Sequence, residues 1–269
     1  MRCLAYITAK HNFIPPSRFG GIPGKSAQDA LLTVMNDVET AWHHNKVVTM
    51  LTYDITGFFD TIPHVYLIQT MHAFHIPLPL VQWTHLFLQN RKATISLDGK
   101  QDHLSPINTG VPQGSCASPI LVAYFTTTLN EAIHMTTKSR LASNEQISCN
   151  LLENHSALFP HTLYVDDGSI SMAAHTREET TQIMKTAFET AHEWLRKRGL
   201  KTDQVKCKLI HFTKSNRGRH VGPGPSITIP MNTENETRTL IPAKSIKYLG
   251  MWIDSRLLPS CLENFPMFN

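Results

Sequence analysis

Three aspartates stand where β-prone runs stop. Asp54 ends the run Val47 to Tyr53, and Asp166 and Asp167 precede Gly168 inside the alternating segment Thr162 to Met172. That segment is predicted to be a tight hairpin with Asp166-Asp167-Gly168 at its turn. Carboxylates delivered to neighbouring strand ends suit a pair of divalent cations. Two such ions about 4 Å apart can activate a hydroxyl and steady a departing pyrophosphate. Magnesium takes few carboxylates and fills its shell with waters and substrate oxygens. Taken one at a time, the aspartates have plainer uses. Asp and Gly favour turns of any kind, and an Asp after a strand can simply end it. Their conjunction shifts the balance toward a metal site.

The elements that must position them alternate between strand and helix. Ser26 and Asp29 form a capping box ahead of Ala27, Ala30, Leu31, Val34, Val38 and Trp42, which recur at helical spacing. The preceding Arg18 to Lys25 is too rich in Gly and Pro for helix or strand. Helices are predicted over Pro63 to His75 and Pro79 to Gln89, each opened by a proline. Lys92 to Leu97 alternates like a strand, Gly110 to Ser118 is a glycine-containing loop, and a helix runs from Pro119 to Met135. The polar, patternless residues 136–161 read as a surface insertion. Thr176 and Glu179 make a second capping box, and Gly199 stops the helix they begin. Strands follow at Cys207 to Phe212 and Ile246 to Ile253. This order predicts an α+β fold, an antiparallel sheet with helices packed on one face.

With the elements in order, a family resemblance emerges. FGGIPGKSAQDAL, LTYDITGFFD, GVPQGSCASPIL, YVDD, GLKTDQVKCKLIHF and KYLGMWID follow one another along the chain. They resemble the ordered motifs of reverse transcriptases, from the fingers through the palm to the primer grip. Ser115 makes the likeness strongest to non-LTR (LINE-like) retrotransposon enzymes, although Cys116-Ala117 departs from the expected pair.

The resemblance implies a polymerase palm and a role for each matching residue. Asp54 and Asp166 match the metal-binding aspartates, Asp167 their neighbour, and the Ile55 carbonyl a further ligand. The implied cofactor is a pair of Mg2+ ions, with Mn2+ as a substitute. Lys206 is similar to the lysine that protonates or shields pyrophosphate. Phe59 falls at the sugar gate that excludes a ribose hydroxyl, with Phe58 beside it as the alternative core aromatic. Gly110, Gln113, Gly114 and Ser115 match the loop that contacts nucleotide and template, and Tyr248, Leu249 and Gly250 match the primer grip. The implied partners are an RNA template, a DNA primer and deoxynucleoside triphosphates. The implied layout is one reverse transcriptase domain over 1–255, with partial fingers over 1–46, palm over 47–255, a tail over 256–269 and the thumb absent.

Composition bounds the remaining possibilities. With 269 residues and 17% charged residues the chain suits a folded domain, and no apolar run is long enough to span a bilayer. Five cysteines without a CxxC pair argue against zinc and disulfide scaffolds and for an intracellular protein. Residues 185–220 hold ten Lys or Arg against three acidic residues. Such a stretch is either a solvated basic face or a phosphate-binding one. Two functional readings follow: the polymerase core of a retrotransposon, in a fragment that alone does not extend a primer at a useful rate, or an inactive remnant that at most binds nucleic acid. A viral RNA-dependent RNA polymerase is disfavoured by Phe59 and by YVDD.

Overall fold

The structure, a computed structural model, describes residues 2–142, 161–214 and 224–257. Along the chain run α1 (Arg2–His11), β1 (Arg18–Phe19), α2 (Ala27–His43), β2 (Val47–Ile55), α3 (Phe58–Thr61), α4 (His64–Ala73) and α5 (Leu78–Leu88). Four short strands follow: β3 (Arg91–Ala93), β4 (Ser96–Leu97), β5 (Lys100–Gln101) and β6 (Ser105–Ile107). The long α6 (Ser118–Ala142) leads to β7 (His161–Tyr164), β8 (Asp167–Ala174), α7 (Arg177–Lys197) and β9 (Thr202–Phe212). Two hairpins complete the described chain, β10 (Ile227–Pro230) with β11 (Thr237–Leu240) and β12 (Ser245–Tyr248) with β13 (Met251–Asp254).

Local chemistry accounts for the helix ends. Both capping boxes form: Ser26 and Asp29 cap α2, and Thr176 and Glu179 cap α7, each side chain accepting from the other residue's backbone. Pro63 stands at the start of α4 and Pro79 lies in the first turn of α5. Gly199 ends α7 with φ +73, the left-handed conformation that glycine adopts without a Cβ penalty.

Five strands form the main sheet in the order β1-β7-β8-β2-β9, antiparallel throughout except that β1 runs parallel to β7. Strand β2 lies between β8 and β9, so its side chains alternate between two cores. Leu51, Tyr53 and Ile55 face Phe125 of α6 and Phe188 of α7. Val48 and Met50 face Leu31, Val34 and Val38 of α2 and the β12–β13 hairpin. Helices therefore cover both faces rather than one. Beyond Met50 the α2 side turns polar with Thr52 and Asp54, and the site opens there.

Several expectations are revised. Residues Arg18 and Phe19, read as loop, extend the sheet because the chain before the two glycines runs alongside β7. Helix α1 is not among the expected elements, yet it forms and buries Leu4. The strand read at Lys92 to Leu97 is split between two short hairpins. Helix α6 continues through residues 136–142, within the span read as a surface insertion, and that span's remainder up to residue 160 lies outside the described residues. Tail residues 258–269 also lie outside them.

The second residue of β8, Gly168, is one that no side chain could replace. A Cβ on Gly168 would lie 2.3 Å from Cζ of Tyr53, its cross-strand partner. Tyr53 cannot give way, because its hydroxyl is bound to His161 and its ring meets Phe188 edge-on. Gly168→Ala should lower stability by about 2–3 kcal/mol through overpacking. An unchanged urea midpoint would refute this account of the glycine.

Candidate active site

Asp54 leaves β2 on the open face of the sheet, just past a register shift between Thr52 and Asp54. It is 8% exposed, and its cross-strand partner on β9 is Asp203. Lys206, three residues further along β9, donates to Asp54 Oδ2 at 2.8 Å and lies 3.6 Å from Asp203 Oδ2. The hydrogen bond to Asp54, then its charge, raises the Lys206 pKa. Residues 206 and 208 share a face of β9, so Lys208 joins the same cleft.

The aspartate hairpin differs in detail from its expected form. Tyr164 pairs with Asp167, so the two-residue turn is Val165-Asp166, and Asp167 and Gly168 belong to β8. Val165 has φ +58, a costly conformation for a β-branched residue. Turn chemistry read from the sequence therefore pointed one residue too far along. The turn places Asp166 at the tip and Asp167 on the strand. Burial raises the pKa of Asp166, with the charge of Asp54 adding to it. Asp167 is pushed up to about 6 by burial and then by Asp166 and Asp54, against the opposing pull of Lys206. These shifts mark the three carboxylates and one ammonium as a single electrostatic group.

A buried polar chain fixes the backbone behind this group. Asn130 of α6 donates to Ser17 Oγ and accepts from His161 Nδ1 at 2.8 Å. His161 Nε2 therefore accepts from the Tyr53 hydroxyl at 2.6 Å. The ring is neutral, burial having pushed its pKa down to about 3. Arg18 lies fully buried nearby with its pKa lowered to about 9 by desolvation, and its terminal nitrogens have no hydrogen-bond partner among the described residues.

The glycine loop is tied to the segment that follows Asp54. Gly110 N donates to Ile62 O and Val111 N to Phe59 O, both at 2.7 Å. The Gly110 carbonyl accepts from His64 and Arg91. Gly110 has φ +75, and a Cβ there would meet the Phe59 and Asp60 carbonyls at 2.6 Å. Gln113 and Gly114 remain exposed, while Ser115 is half-buried. Phe58 is core, packed near Phe125, and Phe59 is half-buried against it. Gly21 comes against Pro119 at the start of α6, and Gly20 against Val165 at the aspartate turn.

Tyr248 is buried and receives a hydrogen bond from Ser169 Oγ at 3.1 Å. Leu249 and Gly250, at φ +49 and +83, form the β12–β13 turn. Two left-handed residues in a two-residue turn match the twist of a hairpin. Between this hairpin and the carboxylates lies a cavity of about 400 Å³, lined by Asp54, Asp167, Lys206 and Tyr248 among others. Lys208, Lys247 and the exposed Trp252 also line it, and sequence reasoning missed them. Strand parity with Lys206 would have revealed Lys208. Lys247 and Trp252 become neighbours only through the hairpin register.

The basic stretch serves two ends. On α7, Lys185 pairs with Glu189, and Arg196 and Lys197 with Glu193, while Arg198 stacks on Trp194. Those charges decorate a helix surface. Lys206 and Lys208 instead enter the cleft. Residues 215–220 of the stretch lie outside the described residues.

The donors suit a divalent ion. Mutual repulsion of the carboxylates is what a cation relieves, and an ammonium already contacts Asp54. Among the described residues, no three His, Cys, Asp or Glu side chains form a ready metal cage. Waters and substrate oxygens would have to complete the shell, as magnesium ordinarily requires.

A five-stranded sheet backed by helices, with carboxylates at one end beside a cleft of about 400 Å³, is a polymerase-palm type of fold. The reverse transcriptase (RNA-dependent DNA polymerase) family profile matches residues 1–253, and the chain belongs to that family. It is 24% identical over 244 residues to the RNA-directed DNA polymerase from mobile element jockey of Drosophila funebris. The corresponding Drosophila melanogaster protein is 22% identical over 244 residues. Each match covers 91% of this chain and 24% of the relative, so the chain spans about a quarter of those proteins. The fold is similar to apo telomerase from Candida tropicalis truncated from its C-terminal domain, with TM-score 0.60, 14% identity, and coverage of 95% of this chain and 43% of the other. Telomerase from Candida albicans, in complex with a TWJ fragment of telomeric RNA, gives TM-score 0.57 and 9% identity, covering 94% and 37%. Among the described residues, no helix is long and apolar enough to cross a membrane.

The raised pKa of Asp167 makes a stability prediction. Its folded value of about 6 exceeds the ordinary 3.8, so the folded state binds the proton more tightly. The resulting penalty is absent below the ordinary value, grows as pH rises, and is complete above the folded one. Asp167→Asn should therefore stabilise the metal-free protein by about 1 kcal/mol at pH 7, after allowance for solvent screening. The gain should vanish below the ordinary aspartate range. Thermal melts across pH that show no such dependence would contradict the electrostatic account.

Proposed function

We propose that this chain is the catalytic core of an RNA-directed DNA polymerase of a non-LTR retrotransposon, adding deoxynucleotides to a DNA primer on an RNA template. The reading rests above all on one arrangement: Asp54 and Asp167 share a cleft with Lys206, beside the aspartate turn and the primer-grip hairpin. Residues 1–46 would serve as partial fingers and 47–255 as palm.

Asp54, the Ile55 carbonyl, Asp166 and Asp167 would hold two Mg2+ ions, or Mn2+ in their place. When bound, such ions activate the primer hydroxyl and neutralise the departing pyrophosphate. Lys206 then supplies charge or a proton to that leaving group, since its ammonium stands at the carboxylates and remains largely exposed. Phe59 offers a ring to the sugar, while Phe58 anchors it from the core. Gly110 sets the loop that presents Gln113, Gly114 and Ser115 to nucleotide and template. Tyr248, with Leu249 and Gly250, would position the primer end by shape, helped by the bond from Ser169 that fixes the tyrosine.

Three substitutions test the reading in a chimaera joining these residues to the remaining length of a jockey-type relative. Asp54→Asn or Asp166→Asn should lower primer extension on homopolymer RNA at least ~100-fold, as loss of preorganised charge stabilisation does. Undiminished extension by either variant would sink the assignment. Phe59→Ala should reduce discrimination against ribonucleotides while extension with deoxynucleotides persists. Unaltered discrimination would remove Phe59 from the gate role.

A further inference from the structure

Asp203 faces Asp54 across the β2–β9 pairing, yet the roles assigned so far leave it unused. Its Oδ1 accepts the backbone N–H of Val205 at 3.1 Å and of Lys206 at 3.4 Å. Both bonds fix the carboxylate to its own strand and leave Oδ2 turned toward the Lys206 ammonium, 3.6 Å away. Lys206 is thus shared unequally, hydrogen-bonded to Asp54 and within ion-pair reach of Asp203. The Lys206 side chain is 63% exposed and that of Asp54 only 12%, so the ammonium is free to move and the carboxylate is not.

We propose that Asp203 is a positioning residue that takes up the Lys206 ammonium when Asp54 engages a divalent cation. The inference rests on the polymerase reading of the site. A divalent ion binds a carboxylate oxygen at about 2.1 Å. An ammonium 2.8 Å from that same oxygen would face it at close range with like charge. Lys206 must leave. Lys208 and Lys247, also in the cleft, repel it from one side, and on the polymerase reading Asp166 and Asp167 would be engaged by the cations. Among the described residues, Asp203 Oδ2 is the other carboxylate oxygen within ion-pair reach of the ammonium, and reaching it takes a short swing of the side chain. Without Asp203 the ammonium would either compete longer for Asp54 or disperse into solvent, away from the pyrophosphate it serves.

Asp203→Asn tests this cleanly, because an asparagine Oδ1 can still accept the two backbone N–H groups that shape the start of β9. In the 269-residue chain, Mn2+ binding is followed by electron paramagnetic resonance, and the Lys206 Nζ signal by 15N NMR during Mg2+ titration. In the unaltered chain, Mg2+ should shift that signal while it stays ordered. In Asp203→Asn, Mg2+ should collapse it to the signal of a free lysine. Asp203→Asn should also weaken Mn2+ binding by about 3-fold, within the range of an exposed ion pair. In a Lys206→Ala background the same change should have no effect on Mn2+, since the competitor is gone. Asp203→Glu should restore the ordered signal. If the loss of Mn2+ affinity persists in the Lys206→Ala background, Asp203 acts on the ion directly and the inference is overturned. If Asp54→Asn leaves Mn2+ binding intact, the metal-site reading itself fails, and the inference falls with it.

Discussion

Carboxylates brought to one end of a sheet repel one another, and the rest of this structure is arranged to bear that repulsion. Burial and neighbouring charge push the Asp167 pKa up to about 6, while Lys206 pulls the other way. The group persists because each member is delivered by an element anchored elsewhere. Asp54 rides on the strand between β8 and β9, Asp167 on the strand beside it, and Lys206 on the strand across. Stability lost at the tip is recovered where Leu51 and Met50 are fully buried on opposite faces. A site of unfavourable charges therefore needs a favourable sheet behind it.

The alternation of β2 explains how one strand serves two purposes. Tyr53 points toward the helices, where His161, Asn130 and Phe188 fix it in a dry polar chain. Asp54, one residue on, points the other way into the cleft. A one-residue slip would exchange the two, placing a tyrosine in the cleft and a carboxylate among apolar side chains. Gly168 guards against such a slip, since only a residue without a Cβ fits opposite Tyr53. The glycine following the aspartates is thus a packing requirement as much as a turn signal.

Much of this was legible in the sequence, for reasons specific to particular residues. Both capping boxes were readable because their chemistry is local, a side chain bonding a backbone group three residues away. The partition of Phe58 and Phe59 into core and half-buried rings was foreseen as a choice, but only packing against Phe125 shows which is which. The Val165-Asp166 turn was misplaced by one residue because a valine at positive φ violates the turn preferences on which the reading relied. Tertiary context imposes that conformation, with β8 pairing in register from Asp167 onward. The sheet extension at Arg18 depends on partners more than a hundred residues away, which no local pattern records.

The remaining gap concerns charge. Sequence reading treated residues 185–220 as one basic stretch, but helix and strand periodicities divide it. On α7, residues three and four apart neutralise one another, as Glu193 does with Arg196 and Lys197. On β9, alternate residues share a face, so Lys206 and Lys208 both turn toward the cleft, and Lys206 meets Asp203 of its own strand as well as a partner across the sheet. What they find there is Asp54 and the cleft. The same density of lysine and arginine thus yields a solvated helix surface in one element and a charged cleft wall in the next. Secondary structure, more than net charge, determines which cations are available to a polyanion.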